Sequence, residues 1–319
     1  MQASSCGRSL SKSFLLVSGA ALILLGATAI SLRVASAQVA GAPGPEVCAA
    51  CHKESYETYL AHRHSMKADA RTPAARGGCV ACHGDGSAHV KAGGGRGVGG
   101  IKNPGSKAMA SDERNATCLT CHEGGQRMHW SVSLHASRDT TCTSCHQIHT
   151  TRDRVRDKAT QPEVCFTCHK EQRAQFNRPY RHPIPEGKVV CSDCHNPHGS
   201  VGPKNVKRDT VNDTCYQCHL EKRGPFVRTH QPVQEDCTIC HNPHGTTAPA
   251  LLKVRIPFLC QSCHQLSSHR DDAAQLGGGS RGAIFEARGC ENCHTQIHGS
   301  NAPSGVTLPA DSRGRAFRR

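Results

Sequence analysis

"CSDCHNPHG", residues 191–199, places two thiols and two imidazoles within eight positions, and "CTICHNPHG" at 237–245 repeats the arrangement. One histidine follows the second cysteine directly. The other comes three residues later, beyond an Asn-Pro step. Working outward from these stretches, the same C-x-x-C-H core recurs along the chain. The pairs are Cys48/Cys51, Cys79/Cys82, Cys118/Cys121, Cys142/Cys145, Cys165/Cys168, Cys191/Cys194, Cys215/Cys218, Cys237/Cys240, Cys260/Cys263 and Cys290/Cys293. The histidines that follow them are His52, His83, His122, His146, His169, His195, His219, His241, His264 and His294. Every cysteine except Cys6 is accounted for.

C-x-x-C alone suits a zinc knuckle, a disulfide or a thioredoxin-like redox pair. None of these needs histidine at the next position every time. C-x-x-C-H is the attachment site of c-type haem: one turn of backbone offers two sulfurs to the porphyrin and brings the adjacent imidazole under the iron. Ten copies predict ten covalently bound haems. They also explain the composition. The chain has 319 residues, is only 4% aromatic, and carries 48 Gly and Pro residues, too little apolar material for an ordinary core. The haems themselves become the core, and the chain without them is expected not to fold. The expected fold class is a multihaem cytochrome c, elongated and mostly irregular. Short α-helices begin at or run through the haem motifs, with little or no strand. "PEVCAACHKESYETYLAHRHSM" (45–66) is the clearest helical stretch.

The remaining histidines follow a repeat. Five dihaem units are expected at 48–117, 118–164, 165–214, 215–259 and 260–298. Each holds a first motif, a loop histidine, a second motif and a trailing histidine. The loop histidines are His64, His135, His182, His230 and His269; the trailing ones are His89, His149, His198, His244 and His298. Ten second imidazoles for ten irons predict bis-histidine ligation throughout, each trailing histidine capping a neighbouring haem, with Pro197 and Gly199 making the turn that aims His198 away. His64 and His135 are preferred over His62 and His129, which remain as spares. His269, five residues after His264, is the least regular. Irons with two imidazoles keep no open position, and they lack the methionine that raises a potential, so low-potential electron transfer is expected and no catalytic residue is assigned. A multihaem reductase is the competing reading, although no C-x-x-C-K occurs.

Residues 1–37 read as a cleaved signal peptide, with Arg8 and Lys12 before the apolar run 14–30 and "ASA" at 35–37; an uncleaved anchor is the alternative. Cys6 leaves with it. The decahaem domain runs over 38–298, and 299–319 forms a flexible basic tail. "GGGRGVGG" (93–100) contains G-x-G-x-x-G, but haem motifs flank it where a dinucleotide site needs a strand and a helix, so it reads as a flexible insertion. The net charge of +14 falls to about +11 after cleavage and to near zero once ten haems add their propionates, so no nucleic-acid binding is inferred.

"CHGDGSAHV", "RHPIPEGKVVCSDCHNPHG" and "CTICHNPHG", within ten C-x-x-C-H motifs behind a signal peptide, resemble the periplasmic decahaem cytochromes of the MtrA, MtoA, PioA and DmsE group. The resemblance covers essentially the whole mature chain. It implies a periplasmic protein associated with the outer membrane, inserted in a β-barrel porin. Such a protein carries electrons between a periplasmic or inner-membrane cytochrome and an outer-surface multihaem cytochrome or reductase, for metal reduction or Fe(II) oxidation. A soluble periplasmic shuttle is the alternative. The irregular last unit departs from the pattern. So does the absence of a long N-terminal extension, which favours the shorter MtrA, MtoA or DmsE type.

Overall fold

A computed structural model describes residues 42–264, 290–292 and 294–301. The signal segment, His269, Cys293 and the tail beyond residue 301 lie outside these. Among the described residues the chain is a succession of short α- and 3-10 helices joined by turns, with no strand and four isolated bridges. None of these helices is long and apolar enough to cross a membrane.

The haem motifs explain why the helices are short. In every motif except the third the histidine N–H donates to the carbonyl of the first cysteine, four residues back, at 2.8–3.0 Å. The third lies inside the longest helix, Ser111–His122. One helical turn therefore puts both sulfurs on the same side. The helix then breaks at the histidine. His52, His169 and His219 take bridge-like conformations and the chain restarts as Lys53–Leu60, Lys170–Phe176 and Leu220–Lys222. The 45–66 stretch is accordingly two helices and a 3-10 turn rather than one rod. In second motifs His146 and His195 are extended, which ends the helix and starts the following turn.

Apolar packing is thin. Eight apolar side chains are buried among the described residues, and the largest cluster joins Phe166, Phe176 and Ile184. Side-chain clamps supplement it. Asn115, three residues before Cys118, donates to Thr140 O and accepts from Cys142 N–H at 2.8 Å. Asn212, at the same offset before Cys215, donates to Val233 O and accepts from Cys237 N–H at 2.7 Å. Each clamp caps the start of its unit's second motif with a side chain from the first.

The cysteines order the motifs. Within each of the five units the first cysteine of one motif contacts the first cysteine of the other: Cys48 with Cys79, Cys118 with Cys142, Cys165 with Cys191, Cys215 with Cys237, and Cys260 with Cys290. Between units the second cysteines approach: Cys82 with Cys121, Cys145 with Cys168, Cys194 with Cys218, and Cys240 with Cys263. Ten motifs thus form one unbranched series in chain order.

Cys51 is the second cysteine of the first motif. It is exposed, as are the second cysteines of the other four first motifs, Cys121, Cys168, Cys218 and Cys263. Those four each meet a second cysteine of the preceding unit, whereas no unit precedes the first. The N–H of Cys51 donates to Cys48 O at 3.3 Å.

Candidate metal centres

The ten motif histidines were expected to meet ten others, and nine such meetings fall within the described residues. Their ring centroids are 6.0–6.3 Å apart: His52 with His89, His83 with His149, His122 with His64, His146 with His198, and His169 with His135. The series continues with His195 and His244, His219 and His182, His241 and His298, and His264 and His230. Rings this far apart do not touch. An imidazole nitrogen sits ~2.0 Å from a transition metal and its ring centre ~1.1 Å further, so two rings on opposite sides of one ion have centres ~6.2 Å apart. The spacing fits one iron between each pair. The tenth motif histidine is His294, and His269, the remaining expected second ligand, lies outside the described residues.

The pairing has a rule. A loop histidine meets the first motif of the next unit, as His64 meets His122 and His182 meets His219. A trailing histidine meets the second motif of the previous unit, as His198 meets His146 and His244 meets His195. The start is closed differently: no unit precedes the first, and trailing His89 turns back to His52, beside the exposed Cys51, in its own unit. Val98 O accepts from His89 Nδ1 at 3.0 Å, and a side chain at Gly99 would strike the His89 backbone. The glycine-rich stretch expected as a flexible insertion is thus folded over this histidine.

The N-P-H-G turns serve two pairs at once. Asn196 Oδ1 accepts from His198 N–H at 3.2 Å, and Asn242 Oδ1 from His244 N–H at 3.1 Å. Gly199 (φ +103°) and Gly245 (φ +145°) let the turn press on the previous unit; a Cβ at Gly199 would lie 2.6 Å from His129 O, and one at Gly245 would strike Gln175 O. The prolyl carbonyls inside the turns accept from the loop histidines of that previous unit: Pro197 O from His135 Nδ1 and Pro243 O from His182 Nδ1, both at 2.7 Å. An Nδ1–H engaged in this way leaves Nε2 bare for a metal.

The motif histidines are held likewise. Nδ1 of His83, His195 and His241 donates to Lys102 O, Lys204 O and Ala250 O at 2.7, 3.1 and 2.8 Å. Lys204 and Ala250 reach these positions in left-handed backbone (φ 52° and 54°). At His64, His198 and His244 burial favours the neutral imidazole, the form that ligates. It is the main force lowering His64, His198 and His244 from 6.5 to about 4, and neighbouring histidines add to it. His62 lies beside His64, rings 4.8 Å apart, and the His129 carbonyl lies against Gly199; neither faces a motif histidine at the 6 Å spacing.

Residues that sequence reasoning passed over complete the centres. Trp130 and Phe176 are buried and flank His198 and His244 at 6.3 and 5.5 Å. With Tyr59 and Phe226 they stand 11 or 12 residues after the first cysteine of their units. That offset was a readable signal in a chain with so few aromatics. Asp153 Oδ2, 2.7 Å from His146 Nδ1, had no such signal.

Comparison with known proteins places the motifs among multihaem cytochromes. A doubled CXXCH motif family matches residues 182–224 and 230–268, and a cytochrome c-type, NrfB-like family matches 79–160. Each doubled-motif segment opens on a loop histidine and ends beyond the motif that this histidine faces, so it frames the same repeat one motif out of phase with the units above. The chain is 40% identical over 272 residues to the multiheme cytochrome MtrA of Shewanella baltica (strain OS185), covering 83% of this chain and 81% of that protein.

Proposed function

This chain belongs to the MtrA family of multihaem cytochromes, and from that premise we propose that it holds ten c-type haems in one series and conducts electrons along it between the periplasm and the outer membrane or cell surface. Covalent haem follows from the paired motifs and the family. The number ten, the five dihaem units and the ligand pairs are our reading. The observation that carries it is the 6.0–6.3 Å spacing of nine imidazole pairs. Cys48 through Cys293 supply the thioethers, the exposed Cys51 at the open end of the series among them, and the ten motif histidines supply one axial nitrogen each. His89, His149, His64, His198, His135, His244, His182, His298 and His230 supply the second, in motif order from the first to the ninth. His269 completes the tenth with His294, by the rule that each end of the series closes within its own unit.

Bound in this way, haem supplies an iron that exchanges one electron. The protein's part is positional. Two imidazoles for each iron would leave no position for a substrate, which supports a carrier rather than a reductase. Where Nδ1 is hydrogen-bonded to a main-chain carbonyl, as at His83, His135, His182, His195 and His241, the ring is held in the tautomer that leaves Nε2 for the iron. The contacts between successive motifs would hold the haem attachment points next to one another among the described residues.

Two measurements test this. Intact mass of the mature protein should correspond to ten haems on a chain beginning near Gln38, and the reduced protein should bind no carbon monoxide without denaturation. A native carbon monoxide adduct would show an open iron and return the reductase reading. The family resemblance supports a β-barrel porin and an outer-surface multihaem cytochrome as partners, with a periplasmic or inner-membrane cytochrome at the other end. Solubilised outer membranes should yield the haem-stained protein together with a barrel. Recovery as a free periplasmic protein would make it a shuttle.

A further inference from the structure

Three second-motif histidines, His83, His195 and His241, give their Nδ1 hydrogen to a main-chain carbonyl. His146 does not. Its Nδ1 lies 2.7 Å from Asp153 Oδ2, and the aspartate side chain is only 7% exposed. The other oxygen, Oδ1, accepts from Gln147 N–H at 3.3 Å, which fixes the carboxylate against the motif. Arg152, next in the chain, is paired with Asp157 instead. The fourth centre therefore has a buried anion where comparable centres have a neutral dipole.

We propose that Asp153 is a positioning residue that sets the potential of the iron between His146 and His198, making it the most reducing of the second-motif centres. The inference rests on reading these two histidines as an axial pair. A carboxylate draws the Nδ1 proton toward itself and makes the imidazole a stronger donor, which favours the ferric state. Its negative charge acts in the same direction, and low exposure limits its screening. The opposite ligand does not offset this, because His198 Nδ1 is buried with no hydrogen-bond partner and Trp130 flanks the ring. Every electron crossing between the third and fifth stations must pass this one. It would fill after, and empty before, the centres of His83, His195 and His241, and so acts as a step between them rather than a resting place.

The test is potentiometric titration of purified holoprotein, followed by visible and electron paramagnetic resonance spectra. Asp153→Asn keeps the size and an acceptor oxygen but removes the charge. One low-spin signal, a tenth of the haem, should leave the low-potential end by at least tenfold in its reduction equilibrium, ~59 mV for one electron. Asp153→Glu should return it most of the way. A titration of Asp153→Asn that superimposes on the parent, with all iron low-spin, overturns the proposal. So does a new high-spin iron in that variant, which would mean that Asp153 only holds His146 in place. His198→Ala tests the foundation separately: if it frees no iron, the axial pair itself is wrong.

Discussion

The turn at 196–199 and the loop around His135 each deliver an imidazole to a motif in a neighbouring unit, and they do so differently. Turn-borne and other trailing histidines lie nearly parallel to the rings they face: 30° for His149, 10° for His198, 29° for His244 and 17° for His298. Loop histidines cross theirs steeply, at 61° for His64, 74° for His135 and 53° for His182. His230 is the exception at 24°. Its Nδ1 has no hydrogen-bond partner, and its unit is followed by "HTQIHG" instead of "HNPHG". His135 and His182 stand steep where the next unit's prolyl carbonyl takes the Nδ1 hydrogen, but His64 is also steep with Ile148 in the prolyl position, so the carbonyl fixes the tautomer of two rings and does not by itself set the angle. The lesson is that one turn positions two imidazole pairs, one through its histidine and one through its prolyl carbonyl.

The largest break in this comparison comes from the turn itself. Gly245→Val places a branched side chain against the Gln175 backbone at φ +145°, which displaces both His244 and the Pro243 carbonyl. Two irons, the sixth and seventh, are expected to lose their second ligand, and a fifth of the haem in reduced protein should bind carbon monoxide. His244→Ala removes one cap and leaves the carbonyl, so only a tenth should respond; His182→Ala should free the other tenth. If Gly245→Val frees no more iron than His244→Ala, the turn does not serve two centres.

A subtler measurement needs no mutation. Parallel imidazole planes split the iron's two π-type d orbitals and give a rhombic low-spin spectrum. Crossed planes leave those orbitals nearly equal in energy and raise the largest g value. Three of the nine described pairs are steep and six are within 30°. The ferric protein should show both populations, with the rhombic one larger. His135→Ala should remove intensity from the steep set, and His198→Ala from the rhombic set.

How much of this was legible beforehand follows from which interactions are local. The motif turns, the short helices and the lack of strand come from four- and five-residue patterns, and the sequence declares them. The division into loop and trailing histidines was also visible as offsets. The partner of each was not, because His135 reaches His169 and His198 reaches His146 across unit boundaries, and no spacing within one unit encodes that. Nor was Asp153, whose role depends on a seven-residue loop returning to His146. The Gly-rich stretch looked uncommitted because its contact with His89 is made by a carbonyl, which any residue carries.

The smallest expected effect concerns two loops that repeat each other. Lys204 and Asn205 after His195, and Ala250 and Leu251 after His241, all stand in left-handed backbone at φ 52–59°. Such residues cost roughly 1–2 kcal/mol each. They are held there by matching bonds: Asn196 N–H to Asn205 O at 2.7 Å and Lys207 N–H to Cys194 O at 2.8 Å, then Asn242 N–H to Leu251 O at 2.8 Å and Lys253 N–H to Cys240 O at 2.9 Å. The strain aims a main-chain carbonyl at the motif histidine. Ala250→Gly removes the strain at one residue but raises the entropy of the unfolded chain by roughly 0.4–1 kcal/mol. The net gain should be about 0.5 kcal/mol in unfolding of the holoprotein, with the haem potentials unmoved, because the carbonyl that meets His241 remains. A destabilised variant would show that the Ala250 side chain contributes packing that outweighs its backbone strain. A shifted potential would show instead that the left-handed conformation, and not the carbonyl alone, sets the environment of the eighth iron.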